Sequence, residues 1–304
     1  MKIMKKLISF ISAFIVVICL VSCEGNSKSS VPTEYCEELV KLAEDGNPEA
    51  QNNLAACYYE GKGVEQNNEE AFKWAMKAAE QGYAEAQCAV GNRYMDGEGV
   101  SKNQKEAFKW FMKSAEQGHA TAQFNVGVCY YKGIGDERNY EEAFKWYMKS
   151  AEQGYATAQN NVGICCYCQG HGVERNDKEG FKWIMKAAEQ GHYAAQCTLG
   201  AFYRDGIGTS ENPQESFKWF MKSAEQGFDI AQYSLGVCYR DGIGTSVNPQ
   251  EAFKWFKKAA EQGNVDAQSE LSLCYTLGIG VEKDRDKANY WSSKLVEQAL
   301  QNGY

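Results

Sequence analysis

All seven tryptophans of the chain fall on one beat: Trp74, Trp110, Trp146, Trp183, Trp219, Trp255 and Trp291, separated by 36, 36, 37, 36, 36 and 36 residues. A period of that length belongs to a unit too small to bury its own apolar face, which becomes stable only by stacking on copies of itself. The chain is therefore an array. Its length does not count domains as the length of a single-core globule would.

The units run 47–82, 83–118, 119–154, 155–191, 192–227, 228–263 and 264–299, after a half unit at 32–46 and before a short tail at 300–304. Each unit predicts two antiparallel helices. The first, helix A, carries an Ala-Gln pair, from Ala50-Gln51 to Ala267-Gln268, and the spacing of Ala50, Leu54 and Tyr58 lays one apolar stripe along it. A Gly-x-Gly turn follows, beginning at Gly61, Gly97, Gly133, Gly170, Gly206, Gly242 and Gly278. Helix B then opens on an asparagine with a glutamate three residues later, Asn67 with Glu70 through Asn248 with Glu251, which predicts a reciprocal capping box. Pro213 and Pro249 sit at the first helical position, where a missing N–H costs nothing. Asp284 with Lys287 breaks the box in the seventh unit, and Ala299 replaces the glycine that ends helix B in the other six. The fourth unit holds one extra residue near Cys166, read either as a bulge in helix A or as a longer turn.

A net charge of −8 excludes the basic stripe that nucleic-acid binding requires. The N-terminus differs in kind from the rest. Lys2, Lys5 and Lys6 precede an apolar run from Leu7 to Val21, closing on Leu20-Val21-Ser22-Cys23. That is an export signal over 1–22. Its end resembles the lipobox of bacterial lipoproteins, which implies cleavage before Cys23, lipidation of that cysteine and a location in the cell envelope on a membrane anchor. The polar stretch up to residue 31 reads as a flexible tether.

The helix-A Ala…Leu-Gly…Tyr pattern, the Gly-x-Gly turn and the Trp…Ala-Ala-Glu-Gln-Gly helix B together resemble the SEL-one-like repeat family, a relative of tetratricopeptide repeats. The resemblance covers the chain from about Asn47 to Ala299. It implies an all-α fold, a right-handed α-solenoid of seven helix-turn-helix units with helices A lining the concave side, and a role as adaptor or scaffold for other proteins. It implies no reaction and no cofactor. Some cysteine-rich members of the family carry a disulfide in each unit and are linked to penicillin binding or β-lactamase activity. This chain lacks their cysteine beside the Ala-Glu-Gln-Gly end of helix B.

Motifs that could carry chemistry reduce to structural duties. The Gly-x-Gly turns follow no strand, so they are not phosphate cradles. The tryptophans share a helical stripe with alanines, as Trp74 does with Ala71, Ala75 and Ala78, and read as core between units. Cys57, Cys129, Cys165, Cys238 and Cys274 occupy one repeat position, and helix separations of about 8–10 Å are too wide to bridge them. Cys57 with Cys88 and Cys166 with Cys197 share a 31-residue offset and are the pairs an oxidising compartment could join. Cys165, Cys166, Cys168 and His171 form the one local cluster of metal-ligand types, at a spacing unlike a zinc site, so no metal is expected. His119 and His192 have no repeated nucleophilic partner.

The back of helix A is the informative surface. At about 100° per residue, positions 49, 52, 56 and 60 and their equivalents face away from the core, where a solvent helix carries charge. Several units place apolar residues there instead: Phe124 and Val128, Ile164, Ile230, Tyr233 and Val237, and Leu273 and Leu277. Thr121 and Lys132 complete that row in the third unit, and Glu49, Glu60, Asp96, Asp205 and Asp241 border it with Arg93, Arg204 and Arg240. An exposed apolar stripe with a charged rim is a groove for a protein or peptide partner. The sequence reading is thus a non-catalytic, lipid-anchored envelope scaffold. Its rivals are a β-lactamase or penicillin-binding role and a module for peptidoglycan fragments.

Overall fold

The computed structural model describes residues 31–168 and 171–301. Among them are fifteen helices and no strand: α1 (Glu37–Glu44), α2 (Pro48–Glu60), α3 (Asn68–Glu80), α4 (Ala84–Asp96), α5 (Gln104–Glu116), α6 (Ala120–Lys132), α7 (Tyr140–Glu152), α8 (Ala156–Tyr167), α9 (Asp177–Glu189), α10 (Tyr193–Asp205), α11 (Pro213–Glu225), α12 (Asp229–Asp241), α13 (Pro249–Glu261), α14 (Val265–Leu277) and α15 (Arg285–Gln301). Even-numbered helices are helices A and odd-numbered ones after α1 are helices B. The chain divides into two compact units, and consecutive helices within them pack pairwise, the all-α solenoid architecture. One holds residues up to 161 with 171–173, the other 162–168 with the residues from 174 on. The apolar run up to Val21, and Cys23, lie outside the described residues.

In five repeats the helix-A glutamine ties three helices together. In the first unit Gln87 is 5 % exposed; its Nε2 donates to Ala79 O at the end of the preceding helix B, at 3.1 Å, and its Oε1 accepts from Gln117 Nε2, at 2.7 Å, on its own helix B. The second unit repeats this with Gln232, which donates to Ala224 O at 3.3 Å and accepts from Gln262 at 2.8 Å. A helix C-terminus leaves carbonyls without partners, and this side chain takes one of them. Edge-on ring pairs add to the same junctions: Phe72 with Tyr94, Phe108 with Tyr130, Phe217 with Tyr239 and Phe253 with Tyr275, centroids 5.2–5.3 Å apart.

The two glycine classes have different causes. The first glycine of each described turn is left-handed, as at Gly97, φ 81°. The second lies against the previous helix B: a Cβ on Gly99 would collide with the carbonyl of Asn68. A third glycine, inside helix A, admits a large side chain from the same repeat's helix B. Cβ atoms on Gly91, Gly127 and Gly236 would stand 2.5–2.6 Å from the rings of Phe111, Tyr147 and Phe256. Where helix A carries Ala55 instead, helix B carries Ala75, and where it carries Ser272, helix B answers with Ser292 at 2.8 Å. Volume is conserved across the pair rather than at either position.

Two expectations change, and an open alternative closes. The asparagine caps hold, Glu70 N donating to Asn67 Oδ1 at 3.1 Å, but the box is not reciprocal. Glu70 turns to Lys73 Nζ at 2.8 Å, and the Asn67 N–H donates instead to Tyr58 O, also at 2.8 Å, which latches helix B to helix A. Asp284 still caps the seventh helix B, accepting from Lys287 N at 3.0 Å. Tryptophan is core on one side only. Trp146 and Trp183 are 8 % exposed and the others are half-buried, and a lysine ammonium lies over the rings of Trp74, Trp110, Trp146, Trp183, Trp219 and Trp255, as Lys77 lies 3.6 Å from the Trp74 centroid. The extra residue of the fourth repeat lies in the turn: α8 runs unbroken to Tyr167, Cys168 N bonds Ile164 O at 2.8 Å, and Asn176 N bonds Cys166 O at 2.7 Å, where other repeats use the tyrosine carbonyl.

Gly127→Ala is expected to lose about 1–3 kcal/mol in urea unfolding, the usual cost of overpacking. In a Tyr147→Ala background the same substitution should cost far less; an equal loss in both backgrounds would rule out the volume pairing.

Candidate functional site

The helix-A rows are less open than their sequence suggests. In the first unit Thr121, Phe124, Val128 and Lys132 line α6 and are half-buried. The Phe124 ring lies 5.7 Å from Tyr147 and 5.4 Å from Tyr155, so it supports the core as well as the surface. Burial holds the Lys132 ammonium below its ordinary value. In the second unit Tyr233 stands 5.9 Å from Phe256, and Tyr233 and Val237 pack on a cluster of Ala252, Phe256 and Cys274. Burial, with Asp266 and Glu270 nearby, pushes the Tyr233 phenol up.

Ile164 and Ile230, expected on the open face, are buried at 5 % and 8 % exposure. Neighbouring helices A also reach one another. Asn125 Nδ2 donates to Asn92 Oδ1 at 3.3 Å in the first unit, and Arg240 Nη1 reaches Glu270 Oε1 at 2.5 Å in the second. Arg93 departs from the charged rim as well: it is 7 % exposed, its guanidinium 4.8 Å from the Tyr59 ring, whose hydroxyl donates to Glu98 Oε1 at 3.2 Å.

What stays open is concentrated in the last helix pair. Leu273 is 47 % and Leu277 53 % exposed on α14, with Val265, Tyr290 and Val296 also open. Asp241 is exposed and held by a two-pronged contact from Arg240, Nε to Oδ1 at 2.7 Å and Nη2 to Oδ2 at 2.8 Å, which keeps its carboxyl below the ordinary range. Sequence reasoning missed Tyr290, although the signal was present: the same repeat position carries lysine in the other six copies, from Lys73 to Lys254.

The candidate chemical groups are built into the fold. The cysteines at the common position are buried, and burial pushes the thiols of Cys129, Cys165 and Cys238 up to about 12. Such thiols hold their protons at neutral pH and are poor nucleophiles. His171 stacks on Tyr140, centroids 5.8 Å apart, and no group of three metal-ligand side chains forms among the described residues. His119 and His192 are helix caps: Ala122 N donates to His119 Nδ1 and Ala195 N to His192 Nδ1, both at 3.2 Å. Only a neutral ring can accept that bond. Burial pulls both histidines down, His192 to about 4.

Seven matches to the Sel1 repeat model cover residues 48–83, 84–119, 120–155, 156–192, 194–228, 229–264 and 265–300. The structure is similar to that of a protective antigen of uropathogenic Escherichia coli with an SLR fold, at 38% identity and a TM-score of 0.76, covering 86% of this chain and 56% of that one. It is also similar to a Sel1 repeat protein from Oxalobacter formigenes, at 35% identity and a TM-score of 0.73, covering 81% of this chain and 96% of that one. No curated protein matches the sequence. The chain thus spans little more than half of the E. coli protein.

A histidine whose folded value lies below its ordinary 6.5 contributes fully above that value, and the contribution declines as pH falls from 6.5 toward about 4. His192→Asn supplies the cap used at Asn47 and Asn264 without a titrating ring. Its thermal midpoint should fall less than the parent's between pH 6.5 and 4; parallel curves would contradict the assignment.

Proposed function

The chain belongs to the Sel1-repeat family, and from that premise we propose that it is a non-catalytic scaffold of the bacterial cell envelope. It binds protein or peptide partners along its helix-A rows and is held at a membrane through lipid on Cys23. Sel1 repeats generally mediate contacts between proteins, and the positions that make the repeat are used up in making it. The observation that carries the reading is the division within one helix. On α6, Ala122, Gln123, Val126, Gly127 and Cys129 are buried and have counterparts in the other repeats, whereas Thr121, Phe124, Val128 and Lys132 remain partly open and change from repeat to repeat. Variation confined to the open row is what a binding surface needs and a core does not.

In this proposal Phe124, Tyr233 and Val237 shape the surface from beneath. Thr121 and Lys132 in one unit, and Asp241, Leu273 and Leu277 in the other, make the contacts. Ile164 and Ile230 are left out because they are buried. The absence of catalysis is supported by thiols held protonated and histidines spent on helix caps. The apolar N-terminal run and Cys23 support a location in the envelope, with which the E. coli relative's description as a protective antigen is in keeping.

A photocrosslinking residue installed at Thr121, Lys132 or Leu273 in the native cell should join the same few partners, identified by mass spectrometry. The same residue at Lys109 or Lys218, on the outer arc of helix B, should not. Equal capture from both faces, or capture from helix B alone, would overturn the assignment.

A further inference from the structure

The last repeat leaves one polar atom unmatched. In five other repeats the helix-A glutamine accepts an amide N–H from a glutamine 30 residues on, at 2.7–2.8 Å. In the seventh, Gln268 is 4 % exposed, its Nε2 donates to Ala260 O at 3.4 Å, and its Oε1 is buried with no hydrogen-bond partner. A buried acceptor without a donor destabilises the fold that holds it. Gln268 also lines a cavity of about 380 Å³, whose other walls include Tyr290, Trp291, Lys294 and Glu297. That volume lies within the range of small-ligand sites.

The walls define the occupant. Tyr290 and Trp291 meet edge to face, centroids 5.1 Å apart, and Tyr290 is 52 % exposed where the other repeats carry lysine. Lys294 is paired with Glu297 at 3.2 Å, so the rim carries no free cation for an anionic ligand. The buried oxygen calls for an N–H donor, and a neutral one, since an ammonium would have to shed its water to reach it. In those five repeats that donor is a side-chain carboxamide.

We propose that this cavity, bounded by α13, α14 and α15, recognises a peptide segment bearing glutamine or asparagine, whose carboxamide donates to Gln268 Oε1 beside the rings of Tyr290 and Trp291. The site is separate from the helix-A rows, so either proposal can fail without the other. Gln298 stands in sequence register with the five donors and is the rival occupant.

The probe is the hexapeptide of residues 222–227, KSAEQG, acetylated and amidated, which presents the carboxamide that completes the fifth repeat. Binding to the signal-less protein is followed by fluorine NMR after 5-fluorotryptophan labelling, with the Trp291 signal assigned through Trp291→Phe. The Trp291 signal should shift saturably. A peptide with leucine in place of Gln226 should bind about tenfold more weakly, the effect of one lost hydrogen bond. Tyr290→Lys, which installs the residue of the other repeats, should keep the fold and weaken binding, and Gln268→Leu should remove it. A Trp291 signal unmoved by millimolar peptide would overturn the proposal. So would a Gln298→Ala protein that loses as much thermal stability as Gln117→Ala, because the chain would then be filling its own acceptor.

Discussion

The buried carboxamide of helix A is the constraint on which the array depends. Hydrophobic faces drive one repeat onto the next but fix no register, because apolar contact is nondirectional. A glutamine at about 5 % exposure is directional: it must find both a donor and an acceptor or carry the cost of the vacancy. It finds them in the preceding helix B and in its own, so a slip of one repeat against its neighbour would break the first bond and a shift of helix B along helix A would break the second. The Asn67 N–H to Tyr58 O contact and its counterparts add a second latch inside each repeat.

With the register held, side chains elsewhere are free to vary in linked pairs. Gly127 with Tyr147, Ala55 with Ala75 and Ser272 with Ser292 are three solutions to one spacing. The helix-A rows vary without such a partner, and for that reason binding is assigned to them. Neighbouring helices A cover part of each row, however, which narrows the available surface to the residues nearest the helix ends and to the last helix pair.

Much of this was legible in the sequence because repetition supplies its own controls. Seven copies of Ala-Gln, Gly-x-Gly and Trp identify the fold and the helix boundaries without any view of the structure. The asparagine caps could be read as well. The destination of Glu70 could not, because a glutamate one turn from both a free N–H and a lysine has two satisfactory partners, and the N–H was already taken by helix A. Ile164 and Ile230 were misplaced for a related reason: a helical wheel knows its own axis and not the neighbour that covers it. His119 and His192 looked inert in sequence and proved to be caps, since imidazole nitrogen can stand where asparagine oxygen does. Tyr290 was visible as a break in a run of lysines and was passed over because the break fell in the terminal copy.

The central claim is that paired glutamines, and not apolar contact alone, lock the two helices of a repeat together and so hold the helix-A carboxamide on the preceding repeat. A double-mutant cycle on Gln87 and Gln117, each replaced by alanine and followed by urea unfolding, measures it directly. The account predicts that the two losses are coupled by about 1 kcal/mol, so that the double variant is more stable than the sum of the single losses implies. Strict additivity would contradict it, leaving the carboxamides as filler in a structure held by its apolar faces.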